Sequence, residues 1–302
     1  MSDFVKQSAT SCAFTTSDSW VILSPIEQSI KRKIENVGTP LKDWEITINY
    51  GIKTGYNEAF IIDEAKRNEI LANCHDEVER ERTDALIRPI LRGRDIKRYA
   101  YEWAHLYIIA TFPAKHLDIE DYPAVKHHLL SFGIERLEQT GKEHLINGER
   151  IKSRKKSGNK WFETQDTIAY MDDFAKPKIV WGEISDRTKF AIDAKGDFMQ
   201  EATTFLLTGE NLEYLVCFLN SPLSEYLFSK IGTTTGVGTV RWKKFKLEQL
   251  CVPTKEIDEQ FFKEQLITYL KTSDDAILQS INRRIYDICG LSAEEINFVE
   301  NA

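Results

Sequence analysis

The chain has 302 residues, 42% hydrophobic and 29% charged, with 40 Lys and Arg against 47 Asp and Glu and a net charge of −7. That is an ordinary globular composition with ample length for a core, in one large domain or two modest ones. It excludes a wholly basic nucleic-acid binder but not one that binds through a single face.

No apolar run is long enough to cross a bilayer, and the start MSDFVKQSATSC lacks the basic-then-apolar order of a signal peptide. A cytoplasmic protein with no membrane partner is expected. Cys12, Cys74, Cys217, Cys251 and Cys289 are scattered, form no CxxC pair and have no His at zinc-finger spacing. His127 and His128 are adjacent, which on a helix turns them in different directions, so no metal site is expected.

Residues 1 to about 23 show no strong periodicity, although Phe14, Trp20, Val21, Ile22 and Leu23 are apolar enough to dock on the domain. Ser24-Pro25-Ile26-Glu27 predicts a helix start, with Ser24 as N-cap, Pro25 at the first position and Glu27 closing a capping box. Ile26, Ile30 and Ile34 follow at helical spacing, and Gly38 with Pro40 marks the stop. From Trp44 to Tyr50, Ile46 and Ile48 alternate with Thr47 and Asn49, the period of a strand.

Ile48 to Phe60, INYGIKTGYNEAF, is the first stretch with candidate chemistry. Gly51 and Gly55 let the backbone take positive φ and approach another molecule closely. Lys53, Thr54, Tyr56 and Asn57 supply a cation, a hydroxyl, an aromatic ring and an amide, groups suited to phosphates and base edges. An ordinary strand-to-strand loop would read the same way. Ala59 to Ile62 is expected as a short strand, Asp63 to Leu71 as a helix, and the charge-dense Asp76 to Arg82 as solvent-facing.

Between Ile87 and Tyr99, Arg88, Arg92, Arg94, Lys97 and Arg98 face only Asp95. The planar fork of arginine donates two parallel bonds to phosphate oxygens or guanine edges, whereas a solvated face usually alternates its signs. The alternative is a turn with an internal Arg–Asp pair. Trp103 to Phe112 predicts a buried strand. Asp121-Tyr122-Pro123 opens a helix that places Val125, Leu129 and Phe132 on one face, and Ile134 to Leu145 either extends it or forms another short helix.

Arg150 to Lys160, RIKSRKKSGNK, holds Arg150, Lys152, Arg154, Lys155, Lys156 and Lys160 without an acid, and Trp161 and Phe162 follow. With Ser153, Ser157, Gly158 and Asn159 it is expected to be a mobile loop, and it is the strongest electrostatic footprint in the chain. A solubilising loop is the alternative.

Lys178 to Ser185 and Phe190 to Asp193 predict buried strands, and Thr203, Phe205 and Leu207 alternate within Glu201 to Thr208. Asn211 to Phe228 is helical apart from a break at Asn220-Ser221-Pro222. Gly232 to Gly238, GTTTGVG, is not a P-loop, because Thr239-Val240-Arg241 stands where Gly-Lys-Ser/Thr is needed. A Thr-rich loop with Thr234 and Thr235, leading to Arg241, Lys243 and Lys244, suits a nucleic-acid backbone. Leu247 to Pro253 returns to the core. Helical spacing then covers Ile257, Phe261, Leu266 and Leu270, next Ile277, Ile281, Ile285 and Ile288, and last a segment opened by Ser292 and Glu295, with Leu291 and Ile296 placed for a hydrophobic staple.

The order of these segments resembles the TaqI-like C-terminal specificity domain of type IIG restriction-modification enzymes, which are related to the Eco57I class of adenine-specific DNA methyltransferases. The resemblance is carried by Gly51 to Asp63, Leu91 to Tyr99, Lys176 to Ser185, Phe218 to Phe228, Phe245 to Pro253 and Ile285 to Glu300, and spans nearly the whole chain from about Trp20. It implies a target recognition domain that reads a short DNA sequence and presents an adenine to a methyltransferase half upstream. An NPPY-type motif, a glycine-rich strand–loop–helix for S-adenosylmethionine and a PD-(D/E)xK nuclease constellation are missing from the sequence. The chain is therefore expected to be a piece of a longer enzyme or a stand-alone specificity subunit, non-catalytic by itself, with S-adenosylmethionine held by the methyltransferase half and no cofactor here.

The expected fold is α+β, a mixed β-sheet recognition domain with flanking helices and a C-terminal helical hairpin, divided at 1–40, 41–253 and 254–302. The expected partners are double-stranded DNA and a methyltransferase domain or subunit. Lys53, Thr54, Tyr56, Asn57, Arg92, Arg94 and Arg98 are the candidate base readers. Arg150, Lys152, Arg154, Lys155, Lys156, Lys160, Thr234, Thr235, Arg241, Lys243 and Lys244 are the candidate phosphate contacts. Two other functions remain open: an enzyme using carboxylates such as Glu183 and Asp186, and a protein-interaction module that docks through its terminal helices.

Overall fold

The computed structural model describes residues 23–234, 239–255 and 257–302. The expected docking of Phe14, Trp20, Val21 and Ile22, and the expected role of Thr235, lie outside the described residues. The protein is α+β, with helices packed around two four-stranded sheets.

The first sheet is antiparallel throughout and runs in the order Phe190–Asp193, Lys178–Gly182, Thr204–Gly209, Ile46–Tyr50. Its two central strands, Lys178–Gly182 and Thr204–Gly209, are buried on both faces, as a sheet covered on two sides requires. Ile179, Trp181, Phe205 and Leu207 enter one hydrophobic cluster, while Val180 and Leu206 enter a second on the opposite face. Trp181 stacks on Phe205 with ring centroids 5.2 Å apart and donates its Nε1 to the Trp242 carbonyl at 2.9 Å.

The second sheet is mixed, in the order Met199–Gln200, Ile87–Leu91, Leu106–Ile109, Ile61–Asp63, with only its first pair parallel. Its core residues Ile90, Ile108 and Ile109 share the second cluster with Val180, Ala191 and Leu206. The two sheets therefore close on one core, and the turn 200–204 carries the chain directly from one to the other.

The capping boxes form as the sequence predicts. Ser24 and Glu27 cap the helix Pro25–Val37, and Ser292 and Glu295 cap Ala293–Glu300. Three helices, Glu259–Thr272, Asp275–Ile288 and Ala293–Glu300, follow the sheets, one more than a hairpin. Phe262, Leu266, Ile281 and Ile285 sit in the same cluster as Trp181 and Phe190. The first two of these helices pack on the helix Leu212–Leu219 and the third on Pro222–Ile231, so most of their apolar face is buried, although Ile267 and Leu270 remain exposed.

Several local expectations are corrected. Asn57–Phe60 is a helical turn and the strand begins only at Ile61, because Ala59 and Phe60 turn inward into the second cluster. The strand expected from Trp103 to Phe112 is confined to Leu106–Ile109. Asp76 to Arg82, the N-cap and first turns of the helix Glu77–Leu86, is exposed as expected except at Glu79, which is buried and accepts from the backbone N–H groups of His75 and Ala124 at 2.7 and 2.9 Å. Part of the basic stretch is strand: Glu149–Lys152 pairs antiparallel with Glu143–Ile146.

Candidate nucleic-acid interface

The loop after Ile46–Tyr50 is held by its own polar groups. Thr54 is 1% exposed; its Oγ1 donates to Asn57 Oδ1 at 2.6 Å and accepts from the Tyr56 N–H at 3.1 Å. Thr54 therefore braces Asn57 rather than facing outward. Tyr56 is half-buried, edge-on to Phe132 at 5.9 Å and beneath the Arg136 guanidinium at 5.4 Å. Lys53 and Asn57 present exposed side chains. Gly55 has φ of +80°, while a Cβ on Gly51 would fall on the Glu201 carbonyl. The close approach that these glycines permit is thus made to the protein's own backbone and side chains.

The basic stretch is joined to this loop through Arg154, which is 4% exposed. Its Nη1 donates to the carbonyls of Thr54 and Glu163 at 2.7 and 2.8 Å, its Nε to Leu137 at 2.8 Å and its Nη2 to Trp161 at 2.6 Å. The guanidinium lies 4.9 Å from the Phe60 ring centroid, and burial pulls its pKa down to about 10. Arg154 is a structural tie whose donors are directed inward. Arg150, Lys152, Lys155, Lys156 and Lys160 around it are exposed. Gln165 and Asp166 donate their backbone N–H groups to the Lys53 carbonyl at 3.0 and 3.2 Å, so the glycine loop and the basic segment form one body.

Arg92 makes the internal pair that was the alternative reading of its segment. Its Nε and Nη2 reach Asp95 at 3.0 and 2.8 Å, and although burial opposes ionisation, this fork and the Arg92 N–H keep the Asp95 carboxyl below the usual range. The pair fixes the turn Gly93–Asp95, from which the exposed Arg94 projects. Arg98 is exposed, donates Nη2 to the Asn220 carbonyl at 2.7 Å and lies 5.4 Å from the Tyr99 ring centroid.

Beside this turn lies a groove of about 660 Å3. Gly93, Arg94, Ile96 and Lys97 form one wall, and Glu183, Ile184, Ser185, Asp186, Lys189, Thr203, Thr239 and Arg241 line the rest. The antiparallel strands Ile184–Ser185, Val240–Arg241 and Thr233–Thr234 form a small sheet along its side. Gly93 and Gly182 face each other, and a Cβ on Gly182 would stand in van der Waals contact with the Gly93 Cα at 3.5 Å. Arg241 lines the groove, and its Nη1 donates to Glu183 Oε1 at 3.0 Å, which orients the guanidinium. Lys244 is turned away, its Nζ on the Ile48 carbonyl at 2.7 Å, and Lys243 is half-buried as N-cap of the short helix Lys244–Leu247. Thr234 is paired with Val240 through its strand, and its side chain lies outside what is described.

Glu201 connects the groove to the glycine loop. Its backbone packs on Gly51, its Oε1 accepts from Asn57 Nδ2 at 3.4 Å, and its Oε2 accepts from Thr203 Oγ1 at 2.7 Å. Glu201 thereby bridges Asn57 and Thr203, and Thr203 lines the groove together with Arg94 and Arg241. Sequence reasoning missed Glu201, Thr203 and Lys189, which lie in short turns with no motif of their own. Sequence position brings them near nothing; only the sheet pairing does.

The strands among the described residues pair almost entirely antiparallel. The only parallel pairing between strands among them, Met199–Gln200 with Ile87–Leu91, is two residues long. S-adenosylmethionine and dinucleotide sites on doubly wound sheets need parallel strands joined by a crossover helix. Among the described residues no group of three or more His, Cys, Asp or Glu is placed to hold a metal ion. His128 is buried with Nε2 on the Ala59 carbonyl at 2.9 Å, and burial lowers its pKa. No helix among the described residues is long and apolar enough to cross a membrane.

The chain is 21% identical over 281 residues to the type II methyltransferase M.PaeR7I of Pseudomonas aeruginosa, an alignment that covers 91% of this chain and 44% of that protein. The solved structure of MmeI, a type IIL restriction-modification enzyme in complex with DNA, aligns with a TM-score of 0.56 at 12% identity over 87% of this chain and 36% of that one. The type IIG restriction endonuclease BpuSI aligns with a TM-score of 0.49 at 11% identity over 82% of this chain and 28% of that one. The chain thus spans less than half the length of each of these proteins. Residues 88–252, more than half of the chain, match the model of the TaqI-like C-terminal specificity domain, and the chain belongs to that family of restriction-modification specificity domains.

Proposed function

We propose that the chain reads a short sequence in duplex DNA on behalf of an adenine-specific methyltransferase, present either as another domain of the same protein or as a separate subunit. The observation that carries this reading is the bridge from Asn57 through Glu201 to Thr203, which lines the groove together with Arg94, Lys97, Lys189 and Arg241. Donors and acceptors held at fixed positions in a groove suit base edges, while exposed lysines on loops suit phosphates.

In this reading Arg94, Arg241, Lys53 and Asn57 supply base or near-base contacts, and Arg150, Lys152, Lys155, Lys156 and Lys160 grip the backbone. Thr54, Arg92 and Arg154 brace these groups from within, and Lys244 ties its helix to the first sheet. Residues 41–253 carry the DNA-contacting surface and 254–302 support it by packing. Methyl transfer, and the S-adenosylmethionine it requires, belong to the methyltransferase part, and the present chain is non-catalytic.

Salt-dependent binding of the purified chain to duplex DNA, alone and with a methyltransferase partner, tests the reading. Binding whose affinity falls steeply with salt supports it. Methyl transfer or metal-dependent cleavage by the chain alone would replace it with an enzyme.

A further inference from the structure

The groove contains one exposed apolar side chain, which phosphate binding does not explain. Ile184 is 52% exposed and lines the groove among arginine, lysine and carboxylate side chains. It is held on a strand, with Arg241 as its cross-strand partner, so the two side chains emerge side by side from the same face. Arg241 is oriented by Glu183 at 3.0 Å, and the Glu183 backbone is fixed on both sides, its N–H on the Thr203 carbonyl and its carbonyl under the Trp242 N–H, each at 2.8 Å. Ile184 is therefore an apolar group at a rigid position, next to a guanidinium of set direction.

Among the edges that unmodified duplex DNA presents in its major groove, the only methyl group is the C5 methyl of thymine, and it stands beside the O4 acceptor. An isoleucine against any other base edge would cover a polar group without bonding to it. We propose that Ile184 reads a thymine methyl group in the recognised sequence, with Arg241 at the neighbouring acceptors. This inference rests on the reading of the groove as a DNA-reading surface and adds the identity of one base.

The test uses the whole chain and a duplex enriched by it from a random-sequence pool. Each thymine of that duplex is replaced in turn by deoxyuridine, which removes the methyl group and nothing else. The expected result for the native protein is a loss of about fourfold in affinity at one position, the worth of one buried methyl group. Ile184→Ser should bind the thymine and deoxyuridine forms of that position alike, with the same salt slope and melting temperature as the native protein. An enriched site without thymine, a flat deoxyuridine scan of the native protein, or an Ile184→Ser variant that keeps the penalty would each overturn the inference while leaving the DNA-reading function intact. Absence of salt-dependent duplex binding would overturn both.

Discussion

Arg154 and Thr54 stand a hundred residues apart, and the Nη1 of the arginine donates to the threonine carbonyl at 2.7 Å. This bond makes a single body of the glycine loop and the most basic segment of the chain. It also separates Arg154 from Lys155 and Lys156, which are exposed. Replacing Arg154 by Ala should leave the Thr54, Leu137, Glu163 and Trp161 carbonyls without this donor and destabilise the fold by about 3–5 kcal/mol in urea unfolding. Lys155→Ala and Lys156→Ala should stay within about 0.5 kcal/mol of the native protein. Each lysine variant should instead lower the salt slope of duplex binding by about 0.9.

Gly51→Ala tests the same body from the other side. The added Cβ meets the Glu201 carbonyl, so either the glycine loop or the turn 200–204 must move. Overpacking of this kind costs about 1–3 kcal/mol. Calorimetry should show the loss, and the shift of Asn57 away from Glu201 should weaken specific DNA binding more than nonspecific binding.

How far these roles can be read without a fold depends on the range of the interaction. The capping boxes of Ser24 with Glu27 and Ser292 with Glu295 were legible because both partners lie within one helical turn. The Arg92–Asp95 pair was legible as an alternative for the same reason. The alternation of Phe205 and Leu207 marked a strand, because the period of a pleated strand is two. Arg154 was not distinguishable from its neighbours: nothing local tells a buried guanidinium from an exposed ammonium, and its acceptors come from Thr54, Leu137 and two residues beyond the loop. Glu79 failed in the same way, since its acceptor role depends on Ala124, 45 residues away. Glu201 and Lys189 became visible only when the strands paired.

Acid sensitivity follows from Glu295. Burial works against its charge, yet bonds from Lys33 Nζ, Ser29 Oγ and the Ser292 N–H hold its pKa down, at about 2. The folded-state pKa lies below the unfolded one, so this stabilisation is present above about pH 4.5 and is lost as pH falls from there towards 2. Glu295→Gln should cost about 2–3 kcal/mol at pH 7 and much less at pH 2. Parallel denaturation curves at the two pH values check this, and an equal penalty at both would count against the ionic origin.

Arg94 projects from a turn that Arg92 and Asp95 hold, so its removal should leave the fold intact. Arg94→Ala is expected to cost about 1–3 kcal/mol on the preferred duplex and to relax preference at one base pair. Selection from a random duplex pool before and after the substitution reads this out. A uniform loss across all sequences would make Arg94 a phosphate contact instead.

The most direct test of a DNA-reading surface is the dependence of duplex affinity on salt, measured with the native chain on the duplex it enriches and on a scrambled one. Engagement of the five exposed cations from Arg150 to Lys160 predicts a slope of log K against log salt of about −4 to −5. The enriched duplex should also bind more tightly than the scrambled one at every salt concentration. No measurable binding at low salt, or the same affinity for both duplexes, would contradict the account.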